Sequence, residues 1–240
     1  MSEVLVVKDL FKDFGKIKAV AGISFEVQER EIFGLIGPNG AGKTTTLRII
    51  STLIKPTSGE VKVFGFDVSK ESDKIRSLIS YLPEEAGAYK NMRGLDYLKF
   101  MAEFYASGSM GKAKMVDNAI TIAALDKRIK DKVSTYSKGM VRKLLVARVL
   151  MHKPRLAVLD EPTSGLDVMN SMEVRKIIKE YVRQGTTVLL SSHNMLEVEF
   201  LSTRVSLINQ GRILETGTPL QLKTKHDSLN LEEVFMKAMV

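Results

Sequence analysis

The chain has 240 residues, 36 basic against 28 acidic for a net charge of +8, with 44% hydrophobic and 27% charged residues. That length suits one buried core with room for an inserted subdomain, and the composition is ordinary for a globular protein, which excludes a disordered polymer. The absence of cysteine removes disulfides and thiol chemistry, and no apolar run nears the roughly 18 residues of a membrane span.

Met1 to Val7 carries acidic Glu3 where a signal peptide is basic, and its apolar run is short, so a cytoplasmic protein is expected. The lysines are scattered, with no block of five or six like charges. They read as solvated faces, and no nucleic-acid partner is expected.

In chain order, Val4–Val7 and Ile23–Val27 read as strands around the turn Phe14-Gly15-Lys16. Glu31–Ile36 is a short apolar strand, followed by a glycine-rich segment and a helix over Thr46–Ile50 with Leu53 and Ile54. Strands follow at Val61–Phe64 and Leu78–Leu82. From about Tyr89 to Met151 the apolar residues fall at helical spacing, as in Leu95, Leu98, Met101 and in Val116, Ile120, Ala123. Leu156–Leu159 is a strand; Met172–Val182 is a helix that Gly185 stops. Thr187–Leu190 is a strand, Met195–Leu201 a helix, and Val205–Ile208 with Arg212–Leu214 a hairpin. Leu231–Met236 reads as a short amphipathic helix. The 12 methionines are expected to fill core space.

Alternating strands and helices argue for an α/β fold with a mainly parallel sheet. The division expected is a nucleotide-binding core with an antiparallel β subdomain over 1–88 and 151–218. An inserted helical subdomain takes 89–150, and a C-terminal helical tail takes 219–240.

The segment Gly37-Pro38-Asn39-Gly40-Ala41-Gly42-Lys43-Thr44-Thr45 contains G-x-x-x-x-G-K-[ST] between a strand and a helix. That context aims backbone N–H groups and a helix dipole at one point, a cradle for the phosphates of a nucleotide. Glycines let the chain curl around an anion. Lys43 would reach the β- and γ-phosphates, and the Thr44 hydroxyl would ligate Mg²⁺.

In parallel sheets ligands sit at the carboxyl ends of the strands. Asp160 ends Leu156–Leu159 and falls where Mg²⁺ would lie beside Thr44; Glu161 could polarise a water for attack on the γ-phosphate. His193 ends the Thr187–Leu190 strand after Ser191 and Ser192. His152 and His226 have no such setting. At a second helix start, Tyr136-Ser137-Lys138-Gly139-Met140, Ser137 can cap, Gly139 permits close backbone approach and Lys138 adds charge.

Along nearly its whole length the chain resembles the nucleotide-binding subunit of ATP-binding cassette transporters, with the signatures in family order. Gly37–Thr45 resembles the Walker A loop and Leu156–Glu161 the Walker B strand with its catalytic glutamate. Ser164-Gly165-Leu166-Asp167 resembles the D-loop and His193 the switch histidine. Tyr136–Met140 stands where the family has Leu-Ser-Gly-Gly-Gln, so Ser137 and Gly139 remain as the phosphate-facing pair. Phe14 falls where an aromatic stacks on adenine, though a Phe in a turn is equally good core filler.

The resemblance implies ATP and Mg²⁺ as ligands. It also implies a head-to-tail dimer in which ATP lies between Walker A of one chain and the signature helix of the other, as a homodimer or with a sister ATPase. A separately encoded membrane-spanning permease is implied as partner, with the chain peripheral on the cytoplasmic face. The implied activity is ATP hydrolysis driving transport, in the export direction; the alternative is a non-transport relative acting in translation or DNA repair. Glu84 departs from the family by replacing the Q-loop glutamine, placing a carboxylate beside Mg²⁺ and the attacking water. This variant, the altered signature and the ending Leu231–Phe235 resemble the single-domain ATPases serving drug, sodium or other exporters.

Overall fold

Three strands, β3 (Ile32–Ile36), β7 (Leu156–Asp160) and β8 (Thr187–Ser192), are buried at every residue. Strands covered on both faces run apolar throughout, which is why these segments lack an alternating pattern. The computed structural model describes residues 3–105 and 108–239; residues 106 and 107, within the stretch expected to be helical, lie outside it.

The described chain first forms β1 (Glu3–Phe14) and β2 (Ile17–Gln28), then β3, α1 (Lys43–Ile50), β4 (Ser58–Val63), β5 (Phe66–Asp67), α2 (Ser72–Arg76) and β6 (Ile79–Leu82). Helices α3 (Gly94–Ala102), α4 (Ser109–Ala123) and α5 (Lys138–Leu150) follow, with two short 3-10 turns between α4 and α5. After β7 come α6 (Val168–Arg183), β8, α7 (Met195–Leu201), β9 (Arg204–Asn209), β10 (Arg212–Gly217), α8 (Pro219–Lys225) and α9 (Leu231–Ala238). One sheet has the order β2-β1-β4-β5 with antiparallel pairings; the other has the order β10-β9-β3-β8-β7-β6, parallel from β9 to β6.

Alternate residues of the six-stranded sheet enter different cores, as the period of two requires. Phe33, Leu35, Val158 and Leu189 pack with α1 and the antiparallel sheet. Ile36, Leu159, Leu190 and Val188 pack with residues of α3, α4, α5 and α6. The helices between β6 and β7 are also tied to the core by a polar bond: Tyr181 in α6 donates its hydroxyl to Asn118 Oδ1 in α4 at 3.0 Å, and Asn118 Nδ2 donates to the Met151 carbonyl.

Several expectations need correction. β1 and β2 each run 12 residues rather than four or five. Their outer halves carry polar residues and register shifts, as between Val7 and Leu10, that hide the alternation. Helix α1 ends at Ile50, because Thr52 takes φ +60° and turns the chain, leaving Leu53 exposed. α2 and β5 have too few apolar residues to show a period. The methionines are not core filler as a group: Met151 and Met195 are buried, but Met110, Met169, Met172 and Met236 are exposed on helices.

Replacing Tyr181 with Phe leaves the Asn118 carbonyl without its donor. The change should destabilise the protein by about 1–2 kcal/mol without altering the fold, seen as a lower urea midpoint at unchanged m.

Candidate functional site

Ile36 lies opposite Ser192, Asp160 opposite Ser191, and Leu82 opposite Leu159. Strands β3, β8, β7 and β6 therefore end level with one another. The segments leaving them bring Gly37, His193, Glu161 and Glu84 to one edge of the sheet, where ligands of such sheets bind.

The loop from Gly37 runs into α1. Gly42 precedes the helix at φ +101°, and a Cβ there would lie 2.4 Å from the Ala19 carbonyl. A Cβ on Gly37 would lie 2.0 Å from the Ile208 carbonyl. Both glycines are thus required by the close passage of β2 and β9, quite apart from any ligand. The N–H groups of the first turn of α1 have no acceptor inside the helix and open on a cleft of about 420 Å³. Its walls are the loop 39–45, the β1–β2 hairpin with Phe14, Ile17 and Lys18, and the side chains of Glu84 and Glu161. Phe14 and Ile17 are exposed there.

Lys43 is 6% exposed and folds back on its own loop, donating to the Gly37 carbonyl at 2.7 Å and the Pro38 carbonyl at 3.1 Å. Its Nζ lies 3.8 Å from Glu161 Oε1. Burial pulls its pKa below the ordinary lysine value, against the opposing pull of Glu161, Asp160 and Glu84. Both of its hydrogen bonds go to neutral carbonyls, and among the described residues Glu161 is the acid that comes within 4 Å of it.

Asp160 is fully buried and held from three sides. Thr44 Oγ1 donates to Oδ1 at 3.2 Å, Ser191 Oγ donates to the same oxygen, and the Tyr81 hydroxyl reaches Oδ2 at 3.4 Å. Burial first, then the Asp160 charge, pushes the Tyr81 phenol up to about 12, so it stays a donor. Glu161 is also buried, and it adopts φ +49°, a left-handed conformation that costs a non-glycine residue on the order of 1 kcal/mol. Its N–H donates to Ser191 O and Oγ, both at 3.2 Å, which holds the turn. The strain turns the side chain back across the strand ends. There Oε1 stands 2.8 Å from His193 Nδ1, and Oε2 accepts from Ser192 Oγ at 3.3 Å. Glu161 also borders a second cleft of about 360 Å³ that contains His193, Ser164 and Gly165.

The other named residues lie apart. Ser137 caps α5, accepting from the Met140 N–H at 3.2 Å. Gly139 is buried against Asn170, whose amide a Cβ would meet at 2.4 Å. Asn170 in turn donates to Asp167, the cap of α6. Neither Ser137 nor Gly139 borders the loop cleft of its own chain. His152 stacks on Tyr105 at 4.3 Å, its pKa lowered by burial, and His226 pairs with Glu215 at 3.1 Å. Sequence reasoning missed Tyr81, Ser191, Ser192 and Arg142. Ser191 and Ser192 stood beside His193 in the sequence, but only strand pairing shows that they hold Asp160 and Glu161.

The donors that meet here are oxygens only: the Thr44 hydroxyl and the Asp160 carboxylate in contact, with the acids of Glu161 and Glu84 near. A hard divalent cation that takes its remaining ligands from phosphate and water fits such a set. Among the described residues no three His, Cys, Asp or Glu side chains form a ready cage, so phosphate and water would have to complete the shell.

The model of the ABC transporter family matches residues 20–164, which contain both strand-end acids and the loop. The chain belongs to this family. Among its relatives is the linearmycin resistance ATP-binding protein LnrL of Bacillus subtilis, 37% identical over 219 residues, which cover 91% of this chain and 70% of LnrL. NatA, an ABC transporter ATP-binding protein of the same organism, is 35% identical over 233 residues, covering 96% of this chain and 94% of NatA. A solved ATP-binding subunit of an ABC transporter superposes with a TM-score of 0.86 at 25% identity, covering 99% of this chain and all of that one. A dimeric ATP-binding cassette in a post-hydrolysis state with ADP and Pi has the same fold, with a TM-score of 0.80 at 24% identity, covering 89% of this chain and 98% of that one.

As a member, the chain binds and hydrolyses ATP to drive transport with a membrane partner. Among the described residues no helix is long and apolar enough to cross a membrane. Replacing Lys43 with Ala should weaken ATP binding about ten- to a hundredfold, the range for losing a hydrogen bond to a charged group. Titration with a fluorescent ATP analogue measures it.

Proposed function

We propose that this ATPase powers export through a separate membrane-spanning permease, from the cytoplasmic face, and that Glu161 is its general base. The position of Glu161 carries the reading: one carboxylate oxygen held by His193 Nδ1 at 2.8 Å, with Lys43 at 3.8 Å, beside the phosphate loop. The export direction is supported by relatives whose names describe linearmycin resistance, bacitracin transport, and daunorubicin/doxorubicin resistance. The units proposed are a core over 1–88 and 151–218, a helical subdomain over 89–150 and a helical tail over 219–240.

In this scheme the phosphate chain lies against the backbone from Gly37 to Thr45 and draws Lys43 Nζ off the Gly37 and Pro38 carbonyls. Phe14 and Ile17 offer the base an apolar wall. Thr44 and Asp160, with Glu84 at the rim, would hold Mg²⁺, which would supply positive charge against the phosphates when bound. The Glu161 carboxylate, steadied by His193 and Ser192, orients the attacking water and takes its proton. The buried strand ends and the Ser191 and Ser192 hydroxyls fix both acids before substrate arrives, so little reorganisation is left for the reaction itself.

A second copy of the chain completes the site. Ser137 and Gly139 are absent from their own cleft and stand at the start of α5, where Ser137 is exposed; there the first turn would meet the phosphates of a partner's ATP in a head-to-tail homodimer. A ligand touching both chains stabilises their association by its extra binding free energy.

Glu161→Gln should retain ATP binding while kcat falls about 10²–10⁴-fold, the usual loss of a general base; steady-state hydrolysis beside an ATP-binding titration decides it. Most of the activity surviving would remove Glu161 from that role. Sedimentation velocity of the same variant should show a monomer alone and a dimer with ATP and Mg²⁺. A monomer at saturating ATP would rule out the self-sufficient homodimer.

A further inference from the structure

Three acids face one spot: Glu84, Asp160 and Glu161. Two buried cations answer them, and only one has been given a task. Lys43 belongs to the phosphates. The other is Arg142, one turn into α5 and 9% exposed. Its Nη2 donates to the carbonyl of Glu84 at 3.2 Å. Its Nη1 is buried and has no hydrogen-bond partner among the described residues. Leaving a guanidinium nitrogen in that state is costly unless another charge offsets it; burial pulls the Arg142 pKa down, against the opposing pull of the exposed Glu84 first and then of Glu161 and Asp160.

The geometry points to Arg142 as the positioning residue of the Glu84 loop, anchoring that loop through the Glu84 carbonyl and balancing the charge of the Glu84 carboxylate. The planar fork of arginine suits both tasks, since one terminal nitrogen serves the carbonyl while the other remains for a carboxylate. Arg142 lies five residues beyond Ser137 on the same helix (142 − 137 = 5), so it ties the start of α5 to the far wall of the nucleotide cleft. The loop it anchors is a single tight turn, Pro83 to Ala86, closed by the Ala86 N–H on the Pro83 carbonyl at 3.1 Å. Once Lys43 turns to phosphate, Arg142 is the buried cation left facing Glu84. The charge-balancing half of this assignment rests on the placement of Glu84 at the nucleotide's rim; the anchoring half does not.

The test uses Arg142→Gln, Glu84→Gln and the double variant in the full chain. Without nucleotide, Arg142→Gln should speed hydrogen exchange at the Ala86 amide about three- to tenfold, a coupling in the range for residues of one network, with the amides of α5 unchanged. With ATP and Mg²⁺ it should lower kcat by about the same factor at constant KM. In the Glu84→Gln chain, where no carboxylate needs balancing, the further loss of kcat should stay under about twofold.

Unchanged exchange at Ala86, or equal acceleration along α5, would overturn the assignment, since Arg142 would then merely pack its helix. Equal losses of kcat in both backgrounds would overturn the charge balance. Should Glu84→Gln alone leave the rate and its Mg²⁺ dependence untouched while Arg142→Gln still speeds Ala86, the placement of Glu84 fails and the anchor stands. If glutamine at 142 prevents folding, Arg142→Met replaces it: a thioether has no N–H to give the Glu84 carbonyl, so Ala86 exchange must still rise, and no rise overturns the anchor.

Discussion

Everything at the nucleotide cleft depends on the register of four parallel strands. Ile36 opposite Ser192, Ser191 opposite Asp160, and Leu159 opposite Leu82 place four chain reversals in one row. A one-residue slip of β7 would send its side chains into the opposite core, and Asp160 would lose Thr44 and Ser191 together. The register is held by burial on both faces. Leu35, Val158 and Leu189 are locked into one core, and Ile36, Leu159 and Leu190 into the other. The geometry of the cleft is thus a by-product of how tightly an apolar sheet can pack.

That sheet also explains why so much charge can be buried beside it. Asp160 and Glu161 are nearly water-free, yet each carboxylate accepts from a hydroxyl of the next strand, Ser191 for Asp160 and Ser192 for Glu161, with His193 Nδ1 beside the latter. The pre-formed bonds compensate the loss of hydration. Lys43 has only two carbonyls and a distant acid, and Arg142 a single carbonyl. The anions are well satisfied and the cations are not, a polarity suited to receiving an anionic ligand.

The far side of the molecule carries the same logic in packing. The Asp167 carboxylate caps α6 and holds Asn170, and Asn170 fills the space a side chain on Gly139 would need. The start of α5 and the loop after Glu161 are therefore in contact within one chain. A shift of either helix start bears on the other, which links Ser137 and Gly139 with the turn that aims Glu161.

How much of this could be read beforehand follows from the range of each interaction. That the loop from Gly37, Asp160, Glu161 and His193 would meet at one row of strand ends was legible because short motifs and strand ends are local properties. The alternation of strands and helices was legible for the same reason. The lengths of β1 and β2 were not, since their outer halves pair across an antiparallel sheet through bulges. Nor were α2 and β5, too short to carry a period.

Gly37 and Gly42 were assigned to the ligand by sequence, and tertiary structure adds a second demand: backbone carbonyls of Ile208 and Ala19 pass too close for any side chain. Arg142 had no sequence signal at all, because its significance lies in Glu84, 58 residues away. The sequence by itself determined which groups can do the chemistry, since motif and period are written in neighbouring residues. Only the tertiary structure decided which of them meet, because strand register and the close passage of distant backbone are set by burial across the whole sheet.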